Sequence, residues 1–362
     1  MPGCPGVELR PIFLPRANPT CRPGVSPPHF PFSLTPLCGD RVGDEEPHAL
    51  RRKAILKAHP EIRELYGPDP STCPKVLAVV ALQAFIGVKL QQQDASWLAI
   101  LAATYVVGAF ASQHLSLAVH EIAHNLCFDG QAPNKLMGII TNLGIGVPFS
   151  TMFQKYHMDH HRYQGHWGID ADVPSMAEAK LVGTNTFLKF LFINLQLLGY
   201  ALRPIFTESK PADLWLALNW LAVVAFDAAL VRYAGWKALG YVVLSTVVGA
   251  GLHPIAGHFI SEHYTFEKGV PSQETYSYYG PLNFFVYNVG YHNEHHDFPR
   301  VPGSRLAKLK AIAPEFYDNL HCHTSWSMVL YRYITDPNVG PFSRVVRKAA
   351  QRHGKPAIAK GE

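Results

Sequence analysis

The chain is predicted to be an all-α integral membrane protein, with about four transmembrane helices and a cytosolic helical cap holding a histidine-rich two-metal site. Three observations predict it. Of 362 residues, 48% are hydrophobic and only 16% charged, too few charges for an ordinary soluble domain. Four apolar runs, at roughly 75–92, 95–119, 213–232 and 236–256, approach the ~20 residues that span a bilayer core. Eight histidines fall into three boxes: HEIAH at 120–124, HMDHH at 157–161 and HNEHH at 292–296.

The elements follow in chain order. Residues 1–42 hold ten prolines and three cysteines without apolar periodicity, the composition of a disordered extension. Its start, MPGCPG, fits neither a signal peptide nor the M-G-x-x-x-[ST] myristoylation pattern. A membrane domain is expected over 43–340 and a basic tail over 341–362. From Glu45, EEPHALRRKAILKAHPEIRELYGPDP reads as one amphipathic helix on the membrane surface, ended by its prolines. Spans one and two form a hairpin through QQQDAS, and spans three and four form another. Between the hairpins lies a fifth apolar run, 184–201, which carries Lys189 and Asn194. It is expected at the interface or against the bundle.

Two hairpins return all three boxes to one side. Basic residues gather there too: Arg51, Arg52, Lys53, Lys57, Lys155, Arg162, Arg203 and the tail from Lys308 to Lys360. The hairpin QQQDAS has none, so the boxes' side is read as cytoplasmic. Membrane topology accounts for the net charge of +5 without a nucleic-acid partner. Six cysteines with no C-x-x-C pair fit reduced thiols better than a disulfide framework.

Helical positions i, i+3 and i+4 span an arc of about 100°, so each box is expected to aim all its imidazoles at one point. A zinc ion takes about four ligands, or three with an open position. Eight or nine histidines exceed that, and two ions sharing them is the economical reading. Neutral imidazole suits Fe, Cu, Ni and Zn alike, which leaves the metal open. HEIAH also meets the H-E-x-x-H zinc-protease pattern, with Glu121 as general base. That reading leaves both HxxHH boxes unused, and the FDG at 128–130 is too near His124 to supply a third ligand. A purely structural role fits poorly, because buried imidazoles without partners are costly; a non-catalytic metal carrier is a further alternative.

Around the boxes, Tyr156 and Tyr291 precede the first histidines of the second and third. Asp159 and Glu294, at i+2, are rotated about 200° away and either orient a histidine on a neighbouring helix or are solvated. In GLHPIAGHFISEHY, one of His253, His258 and His263 is a candidate ninth ligand. His114 is either packed or substrate-facing, and His166, His321 and His323 are unassigned. Two metals held by neutral imidazoles beside a lipid phase suit oxygen activation and hydrogen abstraction from an unactivated CH₂. The product is a double bond or an alcohol.

These motifs resemble the membrane fatty-acid desaturase and hydroxylase superfamily, whose pattern is one HxxxH and two HxxHH boxes on a four-span bundle with a di-iron site. The strings PHALRRKAILKAHPEI, HEIAHNLCF, FQKYHMDHHRYQG, HPIAGHFISEHY and YNVGYHNEHHDFPRVPGSRL resemble the sphingolipid Δ4-desaturases, over about residues 45–340. The resemblance implies that His120, His124, His157, His160, His161, His292, His295 and His296 are catalytic iron ligands. It implies His263 as first choice for the ninth ligand and His258 as second. It further implies O₂ as co-substrate and N-acyl-sphinganine as the membrane lipid substrate, desaturated at C4–C5 to ceramide. Electrons are expected from NADH through cytochrome b5 and its reductase. HPIAG at 253–257 is not the cytochrome b5 signature, so that donor is expected to be a separate protein, meeting the basic segments around Arg51 and Arg344–Lys355. The implied location is the endoplasmic reticulum membrane, multi-pass, with the active site facing the cytosol. C4-hydroxylation, alone or beside desaturation, is the alternative chemistry. Family members generally begin near Pro47 and His48, and the proline-rich extension departs from that pattern.

Overall fold

A computed structural model describes residues 47–205, 207–266 and 273–347; the expected disordered extension, 1–42, lies outside them. The expected single surface helix is two pieces, α1 (Pro47–Ala58) and a 3₁₀ turn, Pro60–Leu65. Pro60 breaks it, since proline has no N–H to continue the ladder. Ile55, Ile62 and Leu65 are buried, and they face Phe298, Val301, Leu306 and Leu309. This segment is part of the cap wall.

Among the described residues three helices are long and apolar enough to cross a membrane: α2 (Thr72–Gln92), α3 (Trp97–Ala123) and Leu214–Ala234. The candidate fourth span is a bent pair, Trp236–Gly249 and Pro254–Ser261, with 43° between them. α3 contains a π-helical turn at Thr104–Gly108. There Gly108 lets the fourth span approach so closely that a Cβ would lie 2.0 Å from Ser245 Oγ, the small-residue contact that substitutes for hydrophobic drive in lipid. Ser112 and Thr246 add a hydroxyl pair at 2.9 Å.

A helix absent from the sequence reading, α4 (Gln131–Leu143), packs among the spans. α5 (Ser150–Arg162) carries the second box. The fifth apolar run forms α6 (Met176–Val182), α7 (Thr186–Asn194) and α8 (Gln196–Leu202) only in part, since α6 precedes it. Lys189 on α7 is fully buried and donates to the carbonyls of Asp336 and Val339 at 2.7 and 3.0 Å, while Phe187, Leu195 and Leu198 face outward. The helices continue as α9 (Leu214–Ala234), α10 (Trp236–Gly249) and α11 (His258–Ser261). The cap is completed by α12 (His292–Asp297), α13 (Gly303–Ile312), α14 (Pro314–Tyr317) and α15 (Trp326–Thr335). Strands Ser277–Tyr278 and Cys322–His323 pair in parallel.

Two expectations are corrected. The first residues of the basic tail belong to the cap: Arg347 N–H donates to the Gly165 carbonyl at 2.7 Å, and Arg344 to that of Asp172 at 3.0 Å. Cys73 and Cys127 are free thiols, but Cys322 is disulfide-bonded, against the expectation of reduced thiols throughout.

Candidate metal centre

Each box stands on an element held by side-chain hydrogen bonds. The first box ends α3, and the loop after it is tied down by Asn134. This side chain accepts from the Cys127 and Phe128 N–H groups and donates to the Phe128 and Gly130 carbonyls. Asn219 of α9 reaches Asn142 Oδ1 and Ser150 Oγ at 3.0 and 3.3 Å, fixing the start of α5. Glu121 accepts the Gly303 N–H at 2.8 Å, joining the first box to the helix that follows the third. Gly303 admits no side chain, since its Cβ would lie 1.8 Å from the Tyr287 carbonyl oxygen.

Nine histidines converge, in two groups. One nitrogen from each of His120, His124, His157, His161 and His295 lies within 4.8 Å of the others, as do those of His160, His263 and His296. His292 Nε2 joins the second group, 2.9 Å from His263 Nε2. The expectation that each box serves one point is therefore corrected. Residues i and i+4 are about 40° apart on a helix, whereas i+3 diverges from i+4 by about 100°. In α5 the i, i+4 pair His157 and His161 serves the five-histidine group and His160 crosses to the other. In α12 His292 and His296 serve the four-histidine group and His295 crosses back. Both groups thus share both boxes and lie side by side, with the His161 and His296 rings stacked 4.2 Å apart.

Burial, reinforced by neighbouring imidazoles, pushes His157, His161, His263, His295 and His296 well below the usual histidine range. His292 is pushed down to about 3 by burial, despite Glu262 nearby. These rings are neutral at neutral pH and keep a free lone pair. His160 moves up instead: burial lowers it, but the Asp170 carboxylate outweighs burial. Both Asp170 oxygens lie 3.1 Å from His160 Nδ1, and they also accept the Gly165 and Asp172 N–H groups. With the proton held at Nδ1, Nε2 is left to accept. Glu262 lies 3.9 Å from His292 Nδ1 and 3.3 Å from His258 Nδ1.

The family model described as "Fatty acid desaturase" matches residues 95–326, and the one described as "Sphingolipid Delta4-desaturase (DES)" matches 40–71. "Sphingolipid delta(4)-desaturase DES1-like" of Oryza sativa subsp. japonica is 54% identical over 308 residues, covering 85% of this chain and 92% of that protein. The Arabidopsis thaliana protein of the same name is 50% identical over 330 residues, 91% and 95% of the two chains. "Sphingolipid delta(4)-desaturase DES1" of Homo sapiens is 44% identical over 308 residues, 84% and 94%. The chain belongs to the sphingolipid Δ4-desaturase family. It is a membrane oxidoreductase of that family, and its histidine clusters stand where a desaturase centre is expected.

The residues fit a metal pair. His120 Nε2 and His296 Nε2 are buried without a hydrogen-bond partner, an arrangement that is costly unless an ion accepts their lone pairs. Nε2 atoms meet at 2.9 to 3.1 Å in four further pairs, and no set of neutral rings has protons for every such contact and its outer bonds. The eight box histidines and His263 come together; His258 does not. Its Nε2 lies 3.1 Å from Gln113 Oε1, so it is corrected from candidate ligand to an outer neighbour of Glu262. His114 is packed, its Nδ1 donating to the Phe285 carbonyl and its Nε2 meeting Tyr287 Oη. Of the acids at i+2, Asp159 pairs with Lys210, and Glu294 accepts from Ser277 and Tyr279 hydroxyls. Burial pushes the Glu294 carboxyl up. Asp170, Glu262 and Asp297 were missed, because an acid outside a box carries no spacing signal. Arg51 and Arg344, offered as docking charges, are instead taken up by Asp297 and Asp172.

Proposed function

We propose that this enzyme desaturates N-acyl-sphinganine between C4 and C5 of the long-chain base to give ceramide, using O₂ and a di-iron centre. The observation that carries the reading is the split set of nine imidazoles in a chain of this family. His120, His124, His157, His161 and His295 would hold one iron; His160, His263, His292 and His296 would hold the other. The irons would supply reductive activation of O₂ and oxidation of an unactivated C–H bond. The balance is two hydrogens lost from the substrate, with two electrons and two protons from outside, reducing O₂ to two waters. The donor is cytochrome b5, reduced from NADH by its reductase, and the site faces the cytosol from the endoplasmic reticulum membrane.

The chain's own part is positional. Burial keeps His157, His161, His263, His292, His295 and His296 neutral, Asp170 holds a proton at His160 Nδ1, and the spans keep the substrate's alkyl chains in lipid beside the cap. A protease role is disfavoured: Glu121, its required base, already accepts the Gly303 N–H, and both histidines of HEIAH belong to the five-histidine group.

The test is turnover of N-acyl-sphinganine deuterated at C4 and C5 by membranes containing the chain, NADH and cytochrome b5, read by mass spectrometry. Oxygen-dependent loss of one deuterium from each carbon is expected. Gain of an oxygen at C4 would assign hydroxylation, and absence of product from iron-loaded protein would overturn the substrate.

A further inference from the structure

The third box stands on an element that cannot hold itself. α12 has six residues, and Tyr291 before it provides no side-chain cap; helices this short are unstable in isolation. Its histidines are placed from outside, through the residues between them. Glu294 is held by Ser277 and Tyr279, as described above. Asn293 and Asp297 are held from α1, a segment about 240 residues away in the chain.

The contacts are short and buried. Arg51 Nε donates to Asp297 Oδ2 at 2.6 Å, and its terminal nitrogen reaches Asn293 Oδ1 at 3.3 Å. His48 Nδ1 lies 2.7 Å from Asp297 Oδ1, and its Nε2 lies 2.9 Å from Thr275 Oγ1. The Thr275 hydroxyl in turn donates to Asn293 Oδ1 at 2.7 Å. The His48 ring centroid is 5.0 Å from that of His296. Asp297 is fully buried, His48 nearly so, and the Arg51 side chain is 14% exposed. Asn293 and Asp297 are i and i+4, so one guanidinium spans a turn of the helix on the face flanking its metal-directed rings, about 100° around from His292 and His296. The planar fork of arginine suits such a two-point grip, and lysine cannot reproduce it.

We propose that α1 is a clamp on the metal centre, with Arg51 and His48 as positioning residues that keep His292 and His296 aimed at the four-histidine site. α1 lies within the stretch matched by the Δ4-desaturase model, residues 40–71, and outside the general desaturase match at 95–326. A segment beyond the general desaturase region thereby governs how firmly one of the two metals is held.

The clamp rests on the di-iron reading, and the test separates the two. Full-length protein, loaded with iron in detergent, is challenged with a ferrous chelator, and iron release and thermal unfolding are followed for wild type, Arg51→Ala, Arg51→Lys and Lys57→Ala. Lys57 is on the exposed side of the same helix. Wild type is expected to hold close to two irons. In Arg51→Ala one of the two is expected to leave about 10-fold faster, the low end of the effect of losing a group that hydrogen-bonds a ligand directly, since Arg51 acts one residue further out. Arg51→Lys should fall between, and Lys57→Ala should match wild type. If Arg51→Ala does not fold, Arg51→Lys carries the same readout. Release of both irons at the wild-type rate from the Arg51 variants would overturn the clamp and leave the di-iron reading standing. Release of both together, in step with lower thermal stability, would also overturn it, reducing α1 to a brace. Wild type without iron would sink the reading beneath.

Discussion

Asp170 lies ten residues beyond His160 in sequence, yet it fixes which nitrogen of that ring is free. The boxes themselves were legible, since HxxxH and HxxHH are conspicuous and few structural roles need them. Which of the two groups each ring joins was not legible from spacing alone, because the i+3 histidine turns away from its i, i+4 partners and only the neighbouring helix decides where it goes. The ninth position was narrowed to two by the resemblance and separated by environment. His263 meets His160 and His292, while His258 faces Gln113 and Glu262. Iron titration is the check: His258→Gln should keep two irons per chain and His263→Gln should lose one. Asp170→Asn should weaken iron binding by about 10- to 100-fold, and unchanged affinity would show that Asp170 does not orient His160.

At the scale of elements, the spans were legible because hydropathy and length report them directly. α4 was not, being 13 residues long, too short to span a bilayer and interrupted by Asn134, Lys135, Thr141 and Asn142. Its role is local: Asn142 accepts both the Ser150 N–H and the Asn219 amide, so a buried polar pair registers α9 against the start of α5. Asn219→Leu should cost about 1–3 kcal/mol, the usual penalty for stranding buried hydrogen-bonding groups. A lower thermal unfolding midpoint with unchanged iron content in the folded fraction is the expected result. The break at Pro60 was also visible as a residue, but its consequence, two short pieces packed against the cap, depends on Phe298, Val301 and Leu306 far along the chain.

Across the whole molecule, two hairpins of spans bring residues 120 and 296 to one place, so the centre is a property of topology more than of any local segment. The basic residues read from the sequence as a cytoplasmic or docking face are in part the cap's internal cement: Arg51, Arg203, Arg344 and Arg347 pair with Asp297, Glu178, Asp172 and Glu274. Charge counting could not separate these pairs from surface residues, because partner and arginine are distant in sequence. The division of nine histidines into five and four makes the most direct claim of this account. It is tested by measuring iron per chain in purified wild type, His161→Ala and His160→Ala, with turnover in parallel. Close to two irons in wild type, loss of about one in each variant and no turnover in either is the predicted result. One iron in wild type, or sustained turnover in His160→Ala, would contradict it.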